Sequence, residues 1–317
     1  MDKISLASYM IQLKNRQTKK YLPFDNYESQ ITIYGEKIVK DFFMDLVDFL
    51  NNNKEFTDRP MRKDLGIEHV YDEDRFCYGT AFYGTFGKYR QAKNVKTKEI
   101  NEMDVDTATE EPFYYLFYLP NNSDRGIAIF ERKGNISIKD TFKRFIEKKL
   151  IIKDIKGFSL DYSGYLPKKV VLNYIDKGEI LSFEFSNIPS HTKYEENRIN
   201  HYFKKVRGKV KIKLQVDEYS KPSAKQVFYK LIKGEMPIEK NKNDFITIDE
   251  INAENSRVEV KIGRYKRWFY IDGNSIRPFM DITKDIKTYE SGHPKFEDIH
   301  EIALEYAKNL FNEIGAI

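Results

Sequence analysis

Near its start the chain alternates: Leu6, Ser8, Met10 and Gln12 take turns with Ala7, Tyr9, Ile11 and Leu13. Side chains in a strand point to opposite faces in succession, so the segment predicts a strand with the second set buried. From Glu36 to Leu50 the period changes. Ile38, Val39, Phe42, Phe43, Leu46, Val47, Phe49 and Leu50 recur at intervals of three and four, which places them along one side of a helix. The polar run from Asn51 to Lys54 ends it.

Two aromatic strands are predicted next, "RFCYGTAFYGTFGKY" and "EPFYYLFYLP", with a long polar connection from Gln91 to Glu111 between them. Gly79, Gly84 and Gly87 suggest bulges or close backbone approach in the first. Gly126–Glu131 reads as a further strand, with a turn at Gly134-Asn135. Ser137, with Asp140 three residues on, marks the start of a helix that ends near Leu150.

In the second half, strands are predicted at 157–162, 169–175, 179–185, 245–251, 257–262 and 266–271, with a turn at Gly263-Arg264-Tyr265 joining the last two. A helix is expected from Ser223 to Lys233. Another, Glu297–Ile314, carries Ile299, Ile302, Ala303, Tyr306, Leu310 and Phe311 on its apolar side. The pattern is that of an α+β protein with mainly antiparallel sheets covered by a few helices. With 317 residues, two domains are expected, an aromatic-rich one over 1–150 and a basic one over 151–317. No repeat or low-complexity segment interrupts them.

Composition narrows the class. Aromatic residues reach 15 %, which argues for packed cores despite 32 % charged residues. The single cysteine, Cys77, rules out a disulfide within the chain and a cysteine-ligated zinc site, and points to a reducing compartment. The opening "MDKISLASYMIQLKNR" lacks the layout of a secretory signal, and the apolar run Phe113–Leu119 is too short for a membrane helix. A cytoplasmic protein is expected.

Formal net charge is +5, and most of the excess lies beyond residue 150. Phosphate binding depends on clustered Lys and Arg rather than on the average, so the clusters carry the argument. One is "KKVRGKVKIKLQVD", with Lys204, Lys205 and Arg207 followed by Lys209, Lys211 and Lys213 at alternate positions. The three lysines share one strand face, a row suited to a phosphate backbone. The same row also protects an edge strand against aggregation. A second cluster, "GRYKRWFYIDGN", interleaves Arg264, Lys266 and Arg267 with Tyr265, Trp268 and Tyr270. Arginine can grip phosphate or guanine while a ring stacks on an exposed base; equally, the rings can belong to the core. A third tract, Lys88, Arg90, Lys93, Lys96 and Lys98, falls in the expected loop of the first half.

Catalytic patterns are sparser. Asp249, Glu259 and Lys261 satisfy the bare spacing of restriction-type nucleases, in which two carboxylates hold magnesium and a lysine stabilises the attacked phosphate. Charge alternation along a strand gives the same spelling. The histidines at 69, 191, 201, 293 and 300 form no recognisable metal set, and Glu297 with His300 lacks the second pair that a di-iron bundle requires. No phosphate-binding glycine loop, nucleophile elbow or dinucleotide fingerprint is present, so no cofactor is expected.

The order "YGTFGKY", "PFYYLFYLPNNSDRGIAIFERKGNIS" and "GRYKRWFYIDGNSIRPFMDI" resembles a group of bacterial and prophage proteins associated with phage exclusion, of which the RexA-like proteins are the nearest named comparison. The resemblance implies a DNA-binding, non-enzymatic role in phage defence by exclusion or abortive infection. DNA is the implied partner, with a membrane protein encoded nearby as a further one; apart from the resemblance, a second copy of the chain is expected as a partner. The resemblance transfers no residue role. A metal-dependent nuclease of a defence system and a protein-interaction subunit stand as the alternatives.

Overall fold

The computed structural model describes residues 3–31, 37–164, 176, 178–189, 209–217, 219, 224–226, 228–229, 239–240, 246–248, 251–253, 255–262, 265–272 and 275–315. The chain is α+β, with predominantly antiparallel sheets and few helices. It divides into two compact units, Met1–Tyr162 with Asp285–Phe311, and Ser163–Lys284 with Asn312–Ile317. Most of the closing helix therefore groups with the first unit.

The sheet of the first unit runs β1 (Ile4–Asn15), β6 (Gly126–Lys133), β5 (Thr109–Tyr118), β4 (Phe76–Thr85), β3 (Lys63–Glu73), β2 (Glu55–Asp58). The aromatic strands β4 and β5 pair over their full length, from Phe76–Tyr118 to Thr85–Thr109. Tyr and Phe suit a pleated surface, and here both faces of it are covered. Phe113, Tyr115 and Phe117 point to one face with Ala128 and Phe130, beneath α1 (Phe42–Asn52) and α2 (Lys139–Phe145). Phe142 of α2 anchors that layer, with its ring 4.9 Å from Tyr115, 5.5 Å from Phe117 and 5.6 Å from Phe130. The opposite face carries Tyr114, Leu116 and Ile129 and is covered by α3 (Phe296–Gly315), whose His300 bonds the Tyr114 hydroxyl and whose Phe311 meets Tyr118 edge-on at 5.1 Å.

This two-sided burial changes the reading of β1. Ala7, Ile11 and Leu13 are buried as expected, but so are Leu6 and Ser8, because Ser8 Oγ lies 3.0 Å from the hydroxyl of Tyr306 on α3. The helix predicted from Glu36 begins only at Phe42. Asp41 caps it by accepting from Phe43 N at 2.8 Å, while Lys37–Lys40 pairs as a strand with Glu28–Ile31. The polar connection 91–111 holds a hairpin of Arg90–Lys93 with Ile100–Met103. Close approach at Gly79 is real: a Cβ there would lie 1.9 Å from the carbonyl oxygen of His69. The bulge itself falls on β3, between Ile67 and His69. The second predicted helix starts at Lys139, with Ser137 Oγ accepting from Lys139 N at 3.4 Å, and runs on through a wider turn to Ile151.

In the second unit the sheet order is β8 (Lys209–Gln215), β7 (Glu179–Pro189), β9 (Asn255–Ile262), β10 (Tyr265–Asp272), β11 (Ser275–Asp281), antiparallel throughout. Its apolar face buries Phe183, Val258, Val260, Phe269 and Met280, with Ala224 and Phe228 from a helical segment against it. Phe228 lies 6.4 Å from Phe183 and 6.3 Å from Phe269, measured between ring centres. β11 contains Pro278 and was not anticipated. The predicted strand 245–251 proves to be two short ones, Ile246–Ile248 and Ile251–Ala253, while the strand predicted at 169–175 lies outside the described residues.

Candidate nucleic-acid interface

Directly paired residues of an antiparallel ladder share a face. In the second unit the register sets Lys213 beside Glu184 beside Arg257, and Gln215 beside Ser182 beside Glu259 beside Trp268. Lys261 pairs with Lys266 one step along. All of these lie on the face opposite Phe183, Val258 and Phe269. The segment "KVKIKLQ" forms β8, the edge strand of this sheet among the described residues.

The middle of the face is occupied by ion pairs. Arg257 Nη2 lies 2.6 Å from Glu184 Oε1, and its guanidinium covers the Trp268 ring at 4.2 Å. Lys213 Nζ stands 5.9 Å from the same ring. Glu259 accepts from Ser182 Oγ at 3.2 Å and faces Lys266 Nζ at 3.7 Å. Both glutamates are buried, whereas Lys213, Lys261 and Lys266 are exposed. Buried acids therefore pair with Arg257 and Lys266, while Lys213 and Lys261 stand exposed on the same face.

Of the residues singled out in the sequence, Lys209, Lys211 and Lys213 fall at alternate positions of β8, while Lys204, Lys205 and Arg207 lie outside the described residues, as does Arg264. The second cluster is divided rather than gathered at a turn. Tyr265, Lys266, Arg267 and Trp268 all belong to β10, where position 266 pairs with Lys261 and Asp281, and position 267 with the buried Val260 and Met280. Alternation sends 266 and 267 to opposite faces. Trp268 is 7 % exposed, with Arg257 lying over its ring. Position 277, an arginine that the sequence reading passed over, pairs with position 270 on β11, a strand that the reading did not anticipate. In the third tract, Lys88, Lys93, Lys96 and Lys98 are exposed, and Arg90 is tied to Thr85 and Thr109.

For the nuclease alternative, Glu259 and Lys261 share a face and Asp249 lies outside the described residues. Among the described residues no three His, Cys, Asp or Glu side chains stand where they could share a metal ion.

A different site, in the first unit, went unread. The ladder between β5 and β6 stops at Tyr115–Phe130. Beyond it Pro112 has no N–H to give, and side chains take over the backbone groups. Glu131 Oε2 accepts from Tyr114 N at 2.8 Å, and Lys133 Nζ donates to Pro112 O at 2.7 Å. Lys133 also donates to His293 Nδ1 at 3.0 Å and lies 3.5 Å from Glu111. Where the strands part, a cleft of about 370 Å³ opens, lined by Glu131, Tyr114 and Thr80 of the sheet and by Tyr289, His293 and Phe296 from the C-terminal segment. Burial, partly offset by Lys133, pushes the Glu131 carboxyl up to about 7, and burial followed by Lys133 holds His293 below its ordinary value. The two charges inside an apolar strand, Glu131 and Lys133, were the available signal.

Among the described residues no helix is long and apolar enough to cross a membrane. No family model, curated protein or solved structure matches the chain.

Proposed function

We propose that the second unit binds DNA through its phosphates, largely without regard to base sequence, as a non-enzymatic component of a phage-defence system. The observation that carries this reading is Lys213 on the polar face that also bears Lys261 and Lys266, and it is supported by the lysines at alternate positions 209, 211 and 213 of β8. Alternate strand residues are about 6.6–6.8 Å apart, close to two axial steps of about 3.4 Å along one DNA strand, so lysines at alternate positions can serve every second phosphate of one backbone. The defence role, and with it a membrane partner encoded nearby, is supported by the resemblance alone.

Glu259→Gln separates this reading from the nuclease. The glutamine still accepts from Ser182 Oγ, and it releases Lys266 from its carboxylate. A phosphate-binding face should then hold random-sequence duplex DNA as tightly as before or more tightly, because a negative charge that repels phosphate has gone. Magnesium-dependent cutting by the unaltered protein that disappears in Glu259→Gln would establish the enzyme instead. Indifference to DNA with and without magnesium would favour the protein-interaction subunit.

A further inference from the structure

The cleft in the first unit has the chemistry of a ligand site, and nothing in the DNA-binding reading uses it. Its floor includes Glu131, which is 2 % exposed and whose Oε1 has no hydrogen-bond partner. An unpartnered buried oxygen of this kind is costly, and the cost is removed when a donor arrives. Glu131 is also needed structurally, since its other oxygen completes the interrupted ladder at Tyr114. One oxygen therefore has a task within the fold, and the second does not.

The surroundings define what that donor can be. Among the described residues no lysine or arginine lines the cleft, whereas Glu68 and Glu297 do. The nearest ammonium, Lys133, directs its three protons to Pro112 O, His293 Nδ1 and Glu111. With a lysine donating to Nδ1, the His293 ring is neutral. Phosphates and carboxylates thus meet no cation here and face three acids. Tyr71, Phe82, Tyr289 and Phe296 supply the apolar part of the wall, and ring faces attract cations as well as alkyl groups. The volume lies at the small end of the range for small-molecule sites, about 300–1,000 Å³.

We propose that this cleft binds a small organic cation, an alkylammonium head seated against Glu131 with its hydrocarbon part among the rings of Tyr71, Phe82, Tyr289 and Phe296. A single unpartnered acceptor suits an ammonium rather than the two-pronged guanidinium fork. The Tyr289–His293 turn, closed by the bonds of Tyr289 N to His293 O and of Gly292 N to Tyr289 O, lines the cleft and is exposed at Ser291.

Calorimetric titration of the full chain, free of DNA, with n-butylammonium chloride tests the proposal, with n-butanol and sodium butyrate as controls of the same length. Saturable binding of the ammonium alone is expected, at least tenfold weakened in Glu131→Gln. That variant keeps an acceptor for Tyr114 N and places an amide where the free oxygen stood. Ser291→Trp, at an exposed position on the rim, should block entry without touching the fold and serves if Glu131→Gln is poorly folded. Affinity should rise as pH increases through about 7, as Glu131 loses its proton. The charged and titratable groups around it, Lys133, Glu111, Glu68, His69, His293 and Glu297, are common to every arm. Butanol or butyrate binding as tightly as the ammonium would overturn the proposal. So would an absence of saturable heat, or ammonium binding that neither variant weakens.

Discussion

A single carboxyl shows how closely local chemistry and stability are linked in this protein. Glu131 takes the Tyr114 N–H where Pro112 stops the ladder, and burial raises its carboxyl from the ordinary 4.5 to about 7. Between those values the folded state holds the proton more strongly than the unfolded chain does. Its stabilising contribution is therefore complete below about 4.5 and is lost as pH rises to about 7. The loss is on the order of 3 kcal/mol at about 1.4 per unit. His293 and His300, both held below their ordinary values, act with the opposite sign in part of the same window. The clean measurement is therefore the difference in unfolding free energy between the unaltered chain and Glu131→Gln at pH 5 and pH 7.5, which should narrow by a few kcal/mol as pH rises. A constant difference would mean that Glu131 is ionised throughout. Phe142 presents a simpler case: its ring meets Tyr115, Phe117, Phe130 and Phe145, and Phe142→Ala should cost about 3–5 kcal/mol in denaturant unfolding.

At the scale of elements, the apolar period identified most strands and helices, and the exceptions have physical causes. The helix predicted from Glu36 starts six residues late, because Ile38 and Val39 fit the helical spacing but are used in a strand pair, and Asp41 supplies the cap. That cap is tied to Arg75, whose guanidinium also covers the Phe43 ring at 4.6 Å. Asp41→Ala should lower stability by about 1–2 kcal/mol, from the lost cap and the stranded arginine, and Asp41→Asn should recover most of the capping share. β1 looked one-sided because Ser8 and Gln12 read as solvent positions, yet Ser8 is buried against Tyr306 from nearly the far end of the chain. No local pattern contains that contact. β3 escaped notice because Asp64, Glu68, His69 and Asp72 interrupt its apolar positions, and β11 because proline at 278 disfavours a strand.

For the molecule as a whole, the antiparallel α+β class was legible in the alternation and in the aromatic strands, and so was the strand that carries lysines at 209, 211 and 213. The composition of that face was not. Which cations are matched by buried glutamates depends on register across four strands, and register places Arg257 over Trp268 and Lys266 beside Glu259. Spacing along the chain likewise grouped Arg267 with Lys266, whereas register pairs position 266 with Lys261 and position 267 with the buried Val260. The cleft beside Glu131 needs a strand interruption and a segment some 160 residues away, His293, to come together. The central claim, that the polar face of the second unit grips a phosphate backbone, is tested most directly by the salt dependence of binding to random-sequence duplex DNA. In the unaltered protein the logarithm of the association constant should fall steeply with the logarithm of salt concentration. With Lys209, Lys211 and Lys213 all replaced by glutamine, the slope should lessen by up to about 2.7, since each phosphate contact contributes about 0.9. A flat response in the unaltered protein, or a slope unchanged by the triple substitution, would contradict the account.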